Sequence, residues 1–353
     1  MTPRVTVVIP VYNAAPYLRE AIDSILSQSF TDFELLIFDD ASTDDSRSIL
    51  ESYSDPRIIK HYGEKNVGLV TWLNLGIERA RGEYVARMDS DDVSHVDRLK
   101  AQVDFLDKNP EVGLCGTSAN LFGLGSGLWH MPTDRDQIHA HLMFGTAFIH
   151  PAVVFRKSHL DQYELRYRDL IPCEDIDLFR RASKYFPCGN IDLPLFNYRI
   201  RGATMARYAT FAKLRAEVDD AWLREHGVEA SADELALHMY VDIPDGTQTL
   251  AAGAWLVRLR DENRNRSWYS EAAFEREVLS RYLNICLNSK DLGQSKYREF
   301  IFSPLLLDAR ISALEKLSFA TQMLIAPIRG KLWSPIIANV KRMTRGKVSR
   351  ATQ

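Results

Sequence analysis

Asp89-Ser90-Asp91-Asp92 closes the apolar run Glu83-Tyr84-Val85-Ala86-Arg87-Met88. Three carboxylates at the end of a buried strand need a counter-charge, because mutual repulsion and desolvation would otherwise raise their pKa values. Oxygen-only donors suit a hard divalent cation, Mg²⁺ or Mn²⁺, which keeps open positions for phosphate oxygens. A turn in which Asp91 or Asp92 caps the next helix is the plainer reading of the same residues. A second acidic pair, Asp39-Asp40, ends another apolar run. A third, Glu174-Asp175, opens an amphipathic helix in which Ile176, Phe179 and Ala182 share a face. Carboxylates in a first helical turn are favoured by the helix dipole. The alternative is a carboxylate turned to the mouth of a sheet as a general base. Arg199 and Arg201 either reach a phosphate or lie on an exposed edge strand.

The elements around these residues alternate. Val5 to Pro10, Glu34 to Phe38, Arg57 to Tyr62 and Glu83 to Met88 read as strands, the near-continuous apolar ones covered on both faces. Helical patterns run from Pro16 to about Gln28, from the capping-rich Ala41–Ser46 segment onward, and from Leu69 to Ala80. Lys65-Asn66-Val67-Gly68 precedes the last of these. Such alternation predicts a doubly wound α/β sheet, whose ligands belong at the carboxyl ends of strands. Asp39 and the Asp89–Asp92 cluster both lie at such ends. Further on, Val96 to Lys108 reads as a helix, Val112 to Gly116 as a strand, and Gly123 to Gly127 as a glycine-rich hairpin or loop. Phe148 to Phe155 reads as a strand, and Asn190–Leu193 and Leu195–Arg199 as two short ones.

The chain has 353 residues, 46% hydrophobic and 26% charged, with a formal net charge of −3. That is ordinary for a globular enzyme and implies no general attraction to nucleic acid. Its 4 cysteines, Cys115, Cys173, Cys188 and Cys286, form no C-x-x-C pair, which favours buried thiols in a reducing cytoplasm. The start runs directly into a strand without the apolar segment of a signal peptide, and no stretch reaches membrane-spanning length.

Taken together, the segments Val5–Asn13, Phe38–Asp44, Arg87–Asp92, His150–Val153 and Glu174–Leu178 resemble the family 2 inverting glycosyltransferases. The resemblance covers roughly residues 4 to 202. It implies a GT-A fold, a Rossmann-like mixed sheet flanked by helices, and a nucleotide-sugar donor. It implies that Asp39 accepts the uracil or thymine N3–H, that Pro10 and Tyr12 wall the base, and that Asn66 lies on the donor side. Asp89 would bind the ribose or sugar hydroxyls, or help hold the metal. Asp91 would bind the Mn²⁺ or Mg²⁺ that bridges the diphosphate. Asp175 would deprotonate an acceptor hydroxyl as it attacks the sugar, so that one displacement inverts the anomeric centre. Asp92 is expected to cap the next helix or brace the loop, and Asp40 and Asp44 to cap the helix after the second strand. The resemblance thus points to transfer from a UDP- or dTDP-sugar to a hydroxyl of a saccharide or lipid-linked acceptor, in polysaccharide, capsule or lipopolysaccharide synthesis.

One departure matters. Many relatives carry histidine where this chain has Arg201, and a guanidinium cannot ligate a metal. His150 is the substitute ligand available, but a histidine packed on the strand ahead of Pro151 is the favoured reading. Arg201 instead suits the diphosphate itself.

The organisation expected is a catalytic domain over 1–203, with a nucleotide-sugar half to about residue 93 and an acceptor half over 94–203. A helical appendage follows over 204–328, with helices at 212–225, 232–239, 247–261, 269–287 and 306–325. A basic tail over 329–353 closes the chain. There Ile336, Ile337, Val340 and Met343 form an apolar stripe beside Lys341, Arg342, Arg345 and Lys347, which suits an anionic membrane surface as well as a helix docked on the protein. A peripheral position on the inner face of the cell membrane is the matching expectation. The absence of a glycine-rich loop after the first strand argues against nucleotidyltransferases and dinucleotide dehydrogenases. A catalytically inactive nucleotide-sugar-binding scaffold is the non-enzymatic alternative.

Overall fold

The computed structural model describes residues 2–202, 205–239, 246–289 and 295–325. They divide into two compact units, one of residues up to 138 and 146–204, the other of residues 139–145 and those from 205 onward.

In the first unit, β1 (Val5–Val11), β2 (Phe33–Asp39), β3 (Ile58–Tyr62) and β4 (Tyr84–Arg87) lie parallel in the order β3-β2-β1-β4. Helices α1 (Ala15–Leu26), α2 (Ser46–Glu51) and α3 (Leu69–Arg79) make the crossovers. The chain moves outward from β1 to β3 and then returns to the other side of β1. That reversal opens a crevice at the carboxyl ends of β1 and β4. Register brings Val11 opposite Asp39, so the end of β1 stands beside the end of β2. β1 and β2 are buried almost throughout, which is why their sequences are continuous apolar runs. At Gly76 the absent side chain lets α3 settle on β1: a Cβ there would stand 2.5 Å from Val8 Cγ1.

The second half of this unit makes the sheet mixed. It contains β5 (Val93–Ser94), α4 (Arg98–Lys108), β6 (Leu114–Gly123), β7 (Gly127–Trp129), the start of α5 (Arg135–His141), whose residues from His139 count with the second unit, β8 (Val154–Arg156), α6 (Lys157–Gln162), α7 (Glu174–Ser183) and β9 (Cys188–Ile200). β8 pairs antiparallel with both β4 and β6, β6 runs parallel to β9, and β5 closes the edge antiparallel to β9. Three expectations change here. Of the strand expected over Phe148–Phe155, only its end pairs, and His150–Ala152 forms a 3₁₀ turn. Pro151 has no N–H for a ladder and fits the first position of a helical turn. The two short strands after Asn190 are one strand, β9, whose register against β6 slips opposite Pro194. The missing donor is absorbed as an irregularity rather than a break. β6 runs past Gly116 to Gly123, and the glycine-rich segment is the hairpin into β7.

The second unit is helical: α8 (Met205–Glu225), α9 (Ala232–Met239), α10 (Gly246–Arg266), α11 (Glu271–Asn288), α12 (Ser295–Ile301), α13 (Pro304–Leu307) and α14 (Ala313–Ile325). Trp222, Leu256, Leu259, Phe274, Leu279 and Phe300 lie in its core. The single helix expected over 306–325 is interrupted before α14. Ser312 Oγ accepts the Glu315 N–H and Glu315 accepts the Ser312 N–H, a capping box that starts a new helix. Among the described residues no helix is long and apolar enough to cross a membrane. The basic tail over 329–353 lies outside the described residues.

Candidate active site

β4 ends at Arg87, and the chain turns at once into the acidic cluster. One carboxylate oxygen from each of Asp89, Asp91 and Asp92 lies within 4.8 Å of the others. Burial, then the charge of Asp89, raises the Asp91 carboxyl, while Arg201 opposes the rise. The same causes push Asp92 up to about 8. The two residues differ in their partners. Arg201 Nε sits 2.6 Å from Asp91 Oδ2, on a side chain about half exposed. Asp92 Oδ1 accepts the Arg199 backbone N–H at 2.7 Å, whereas its buried Oδ2 has no partner. Asp92 therefore braces the loop against β9 and caps no helix. An all-oxygen donor set with an orphaned buried oxygen fits a hard divalent cation.

Arg199 is placed differently from Arg201. Its Nε donates to the Asp91 carbonyl at 2.6 Å, and its guanidinium pairs with Glu20 and lies 4.2 Å from the Phe122 ring centroid and 4.6 Å from that of Tyr17. It holds the wall of the site, and Arg201 is the more accessible cation.

Beneath the cluster lies Arg87, with Nη2 2.6 Å from Asp89 Oδ1. Burial opposes its charge, but Asp89, Tyr167 and Glu174 outweigh this and raise its pKa. α7 brings its first turn to the same place. Glu174 Oε1 is 3.7 Å from His150 Nδ1, and His150 Nε2 is 3.0 Å from the Tyr167 hydroxyl. Burial, then the charge of Asp175, pushes the Glu174 carboxyl up to about 7, with Arg87 opposing. Burial and Arg87 hold His150 well below its ordinary value, so it is a neutral packed ring, against Phe179 and Tyr167. Asp175 is half-buried, and its Oδ1 accepts the Ile176 N–H at 2.8 Å. Both Asp175 and Asp89 act electrostatically on Glu174 and on Tyr167, which joins α7 to the acidic loop in one crevice.

The ends of β1, β2 and β3 form the other part of the site. Asp39 is fully buried; Oδ1 accepts the Ser42 N–H at 3.2 Å and Oδ2 stands 3.3 Å from Arg47 Nη2. Beside it is a cavity of about 360 Å³ lined by Ala41, Ser42, Arg47, Tyr62, Gly63 and Glu64. Pro10 pairs in register with Phe38, and Tyr12 projects half-exposed beyond the strand end. Asn13, at φ 50°, accepts the Thr43 N–H and donates its own N–H to Ser42 Oγ, tying the loops after β1 and β2 together. Asp40 does not cap α2 as expected. Its carboxylate accepts the Val67 and Gly68 N–H groups at 2.7 and 3.0 Å, because the loop after β3 folds back over the end of β2. Asn66 Nδ2 donates to the Asp40 carbonyl at 3.4 Å in that loop. Asp44 does serve α2, through the Ser46 N–H, and also accepts the Ala15 N–H at the start of α1.

Residues 6–167 match the family model described as Glycosyl transferase family 2. The similarity to this glycosyltransferase family thus covers residues 6–167, somewhat under half of the chain. An uncharacterized glycosyltransferase of Rickettsia conorii is 30% identical over 213 residues, covering 57% of this chain and 33% of that protein. In Bacillus subtilis, a glycosyltransferase provisionally named for teichuronic acid biosynthesis, TuaG, is 43% identical over 106 residues, 30% of this chain and 42% of its own. EpsE of the same organism, provisionally named a glycosyltransferase, is 36% identical over 188 residues, 51% of this chain and 66% of its own. The chain thus spans less than two thirds of the length of these relatives. Among solved structures, S. aureus TarS residues 1–349 in complex with UDP-GlcNAc aligns with a TM-score of 0.53 over 92% of both chains at 16% identity. That similarity shows the GT-A fold.

Two residues that meet the site's carboxylates, Arg87 and Arg47, have no assigned role in the sequence alone. Arg87 has a usable signal: an arginine within a buried strand demands a partner charge. Arg47 has none, since only the folded loop after β2 carries α2 back over Asp39.

Proposed function

We propose that the chain is an inverting glycosyltransferase that moves a sugar from a UDP- or dTDP-sugar to a hydroxyl of a saccharide or lipid-linked acceptor. The observation that carries this is the convergence of the Asp89–Asp92 cluster and the Asp175 end of α7 around Arg87, at the sheet's reversal point. Asp39 accepts the base N3–H, Pro10 and Tyr12 wall the ring, and Asn66 lies on the donor side. Asp89 and Asp91 hold Mn²⁺ or Mg²⁺, which when bound offsets charge developing on the departing diphosphate. Arg201 pairs with a phosphate oxygen through its planar fork. Asp175 takes the proton of the acceptor hydroxyl, on the face opposite the leaving group, so the anomeric configuration inverts. Arg87 holds Asp89 in place through their ion pair.

TuaG's name supports a role in surface-polysaccharide synthesis. The domain scheme that goes with the proposal is a catalytic domain over 1–203, a helical region over 204–328 and a basic tail whose sequence suits a peripheral place on an anionic membrane.

The test is release of nucleoside diphosphate from a panel of nucleotide sugars, with Mn²⁺, with and without saccharide acceptors. Asp175→Asn is expected to lower turnover by about two orders of magnitude while leaving donor affinity nearly unchanged. Loss of donor binding with turnover intact would refute the role of Asp175. Binding without any transfer across the panel would favour the scaffold reading.

A further inference from the structure

In the second unit, α14 carries an apolar face that the unit does not cover. Met323 is buried in the core, with Phe319 and Ala320 packed against it. On the other side of the helix, Leu314, Leu317 and Leu324 are 79%, 64% and 55% exposed. At 3.6 residues per turn these three leucines and Thr321 fall within about 80° of helix surface. Ser318 and Gln322 flank them, and no charged residue shares the exposed side. The polar groups there are already engaged within the helix. Thr321 Oγ1 donates to the Leu317 carbonyl at 2.7 Å, and Gln322 Nε2 donates to Ser318 Oγ at 3.3 Å. Both charged residues of α14 are taken up elsewhere: Glu315 by Arg276 and the Ser312 N–H, and Lys316 by the Leu307 carbonyl at 2.8 Å.

We propose that this face of α14 lies on an anionic lipid surface. The inference rests on the membrane-suited reading of the basic tail and adds a folded contact to it. The chain continues from α14 into residues 326–353, which hold seven Lys and Arg and no Asp or Glu; with a net charge of −3 for the whole, residues 1–325 carry −10. Bare leucines and positive charge thus adjoin in sequence on an otherwise acidic protein. Acyl chains take up the leucines and acidic headgroups the cations, two signals that together give lasting attachment. A second copy is the competing occupant, because positions 314, 317, 321 and 324 have the three-four spacing of a helix-pairing seam. That seam lasts less than two heptads and has Thr321 among its four positions, whereas pairing needs about three or four heptads. A parallel pair would also bring two strongly cationic tails together. Were the tail folded back over α14 instead, its cations would meet a helix whose one acid, Glu315, is already paired with Arg276.

The experiment is co-sedimentation of the full chain with vesicles of phosphatidylglycerol and phosphatidylethanolamine, or of phosphatidylcholine alone. Three proteins are compared: the wild type, the triple variant Leu314→Gln, Leu317→Gln and Leu324→Gln, and a tail variant with Lys341, Arg342, Arg345 and Lys347 each changed to Gln. The wild type is expected to bind the anionic vesicles and scarcely the neutral ones. The leucine variant should bind about tenfold more weakly or worse, through lost apolar burial, with its circular dichroism unchanged because all three side chains are exposed. The tail variant should lose most of the salt dependence of binding. A leucine variant that binds as the wild type does would overturn the inference and leave the tail alone as the membrane contact. A wild type that is dimeric in solution, and split into monomers by the leucine substitutions, would overturn it in favour of a second copy. A wild type that binds no anionic vesicle would overturn both the inference and the membrane reading of the tail; release of nucleoside diphosphate to a soluble acceptor checks the glycosyltransferase reading separately.

Discussion

Replacing Arg87 with methionine is expected to destabilise the first unit by about 3 kcal/mol near neutral pH, and by more as pH rises. The substitution conserves an unbranched apolar stem, so packing loss is small and electrostatics dominates. Arg87 is 5% exposed and Asp89 32% exposed, so water reaches one partner and not the other. Breaking a buried pair costs roughly 3–5 kcal/mol because the remaining charge is uncompensated. Partial hydration of Asp89 puts the figure at the lower end. The pH dependence comes from Glu174. Its folded pKa, pushed up to about 7 by burial and Asp175, lies above its unfolded value, so stability falls as pH rises from the unfolded value through about 7. Arg87 opposes that upward shift. Without it the folded pKa moves higher, and the fall continues above pH 7 at roughly 1.4 kcal/mol per unit of additional shift. The difference between variant and wild type therefore widens from pH 6 to pH 8. Urea unfolding of both proteins at the two pH values, in EDTA, measures it. A penalty below about 1 kcal/mol, or one that shrinks with pH, would show that Arg87 does not compensate the buried acids of this site.

Two further perturbations follow. Asp91→Asn should keep the fold and nearly abolish transfer, because an amide is a poorer ligand for a hard cation; EDTA should do the same to the wild type, reversibly with Mn²⁺ or Mg²⁺, and full activity in metal-free buffer would exclude this role. In the second unit, buried Glu277 lies between His141 and Arg281, at 3.1 and 3.0 Å; burial alone would raise its pKa, but these partners hold it at about 2. A depressed folded pKa means stability present above the unfolded value and lost as pH falls toward 2. Unfolding free energy should thus drop by up to about 3 kcal/mol between pH 5 and pH 2, and Glu277→Gln should flatten that part of the curve in acid titrations followed by circular dichroism.

The parallel half of the sheet was legible because strands buried on both faces carry a continuous apolar signal, as in Val5–Val11 and Phe33–Asp39. The antiparallel half was less so. Around Pro151 and Pro194 the sequence suggests strand composition, but a missing N–H has opposite consequences at the two places: a 3₁₀ turn at one, an irregularity inside a continuing strand at the other. Which occurs depends on whether a neighbouring strand holds the segment on both sides of the proline. β6 does this for β9 along most of its length, while β8 has only three residues to pair.

For the candidate site, the carboxylates were legible because clustered acids announce a need for positive charge. The cations that answer it were not, since a sequence shows that an arginine is charged but not whether it is already satisfied. Arg199 and Arg201 are two residues apart and read alike as phosphate contacts. The fold separates them. Arg199 is committed to the Asp91 carbonyl, to Glu20 and to the rings of Tyr17 and Phe122, and its backbone N–H is taken by Asp92. Removing its guanidinium would loosen the acidic loop before it changed any contact with a donor. Arg201, half-exposed and bonded only at one edge to Asp91 among the ion pairs described, retains donors for an anion. The same logic explains why three adjacent acids need not be three equivalent ligands: Asp92 spends one oxygen on β9, Asp89 is anchored from below by Arg87, and Asp91 faces Arg201 at the open side.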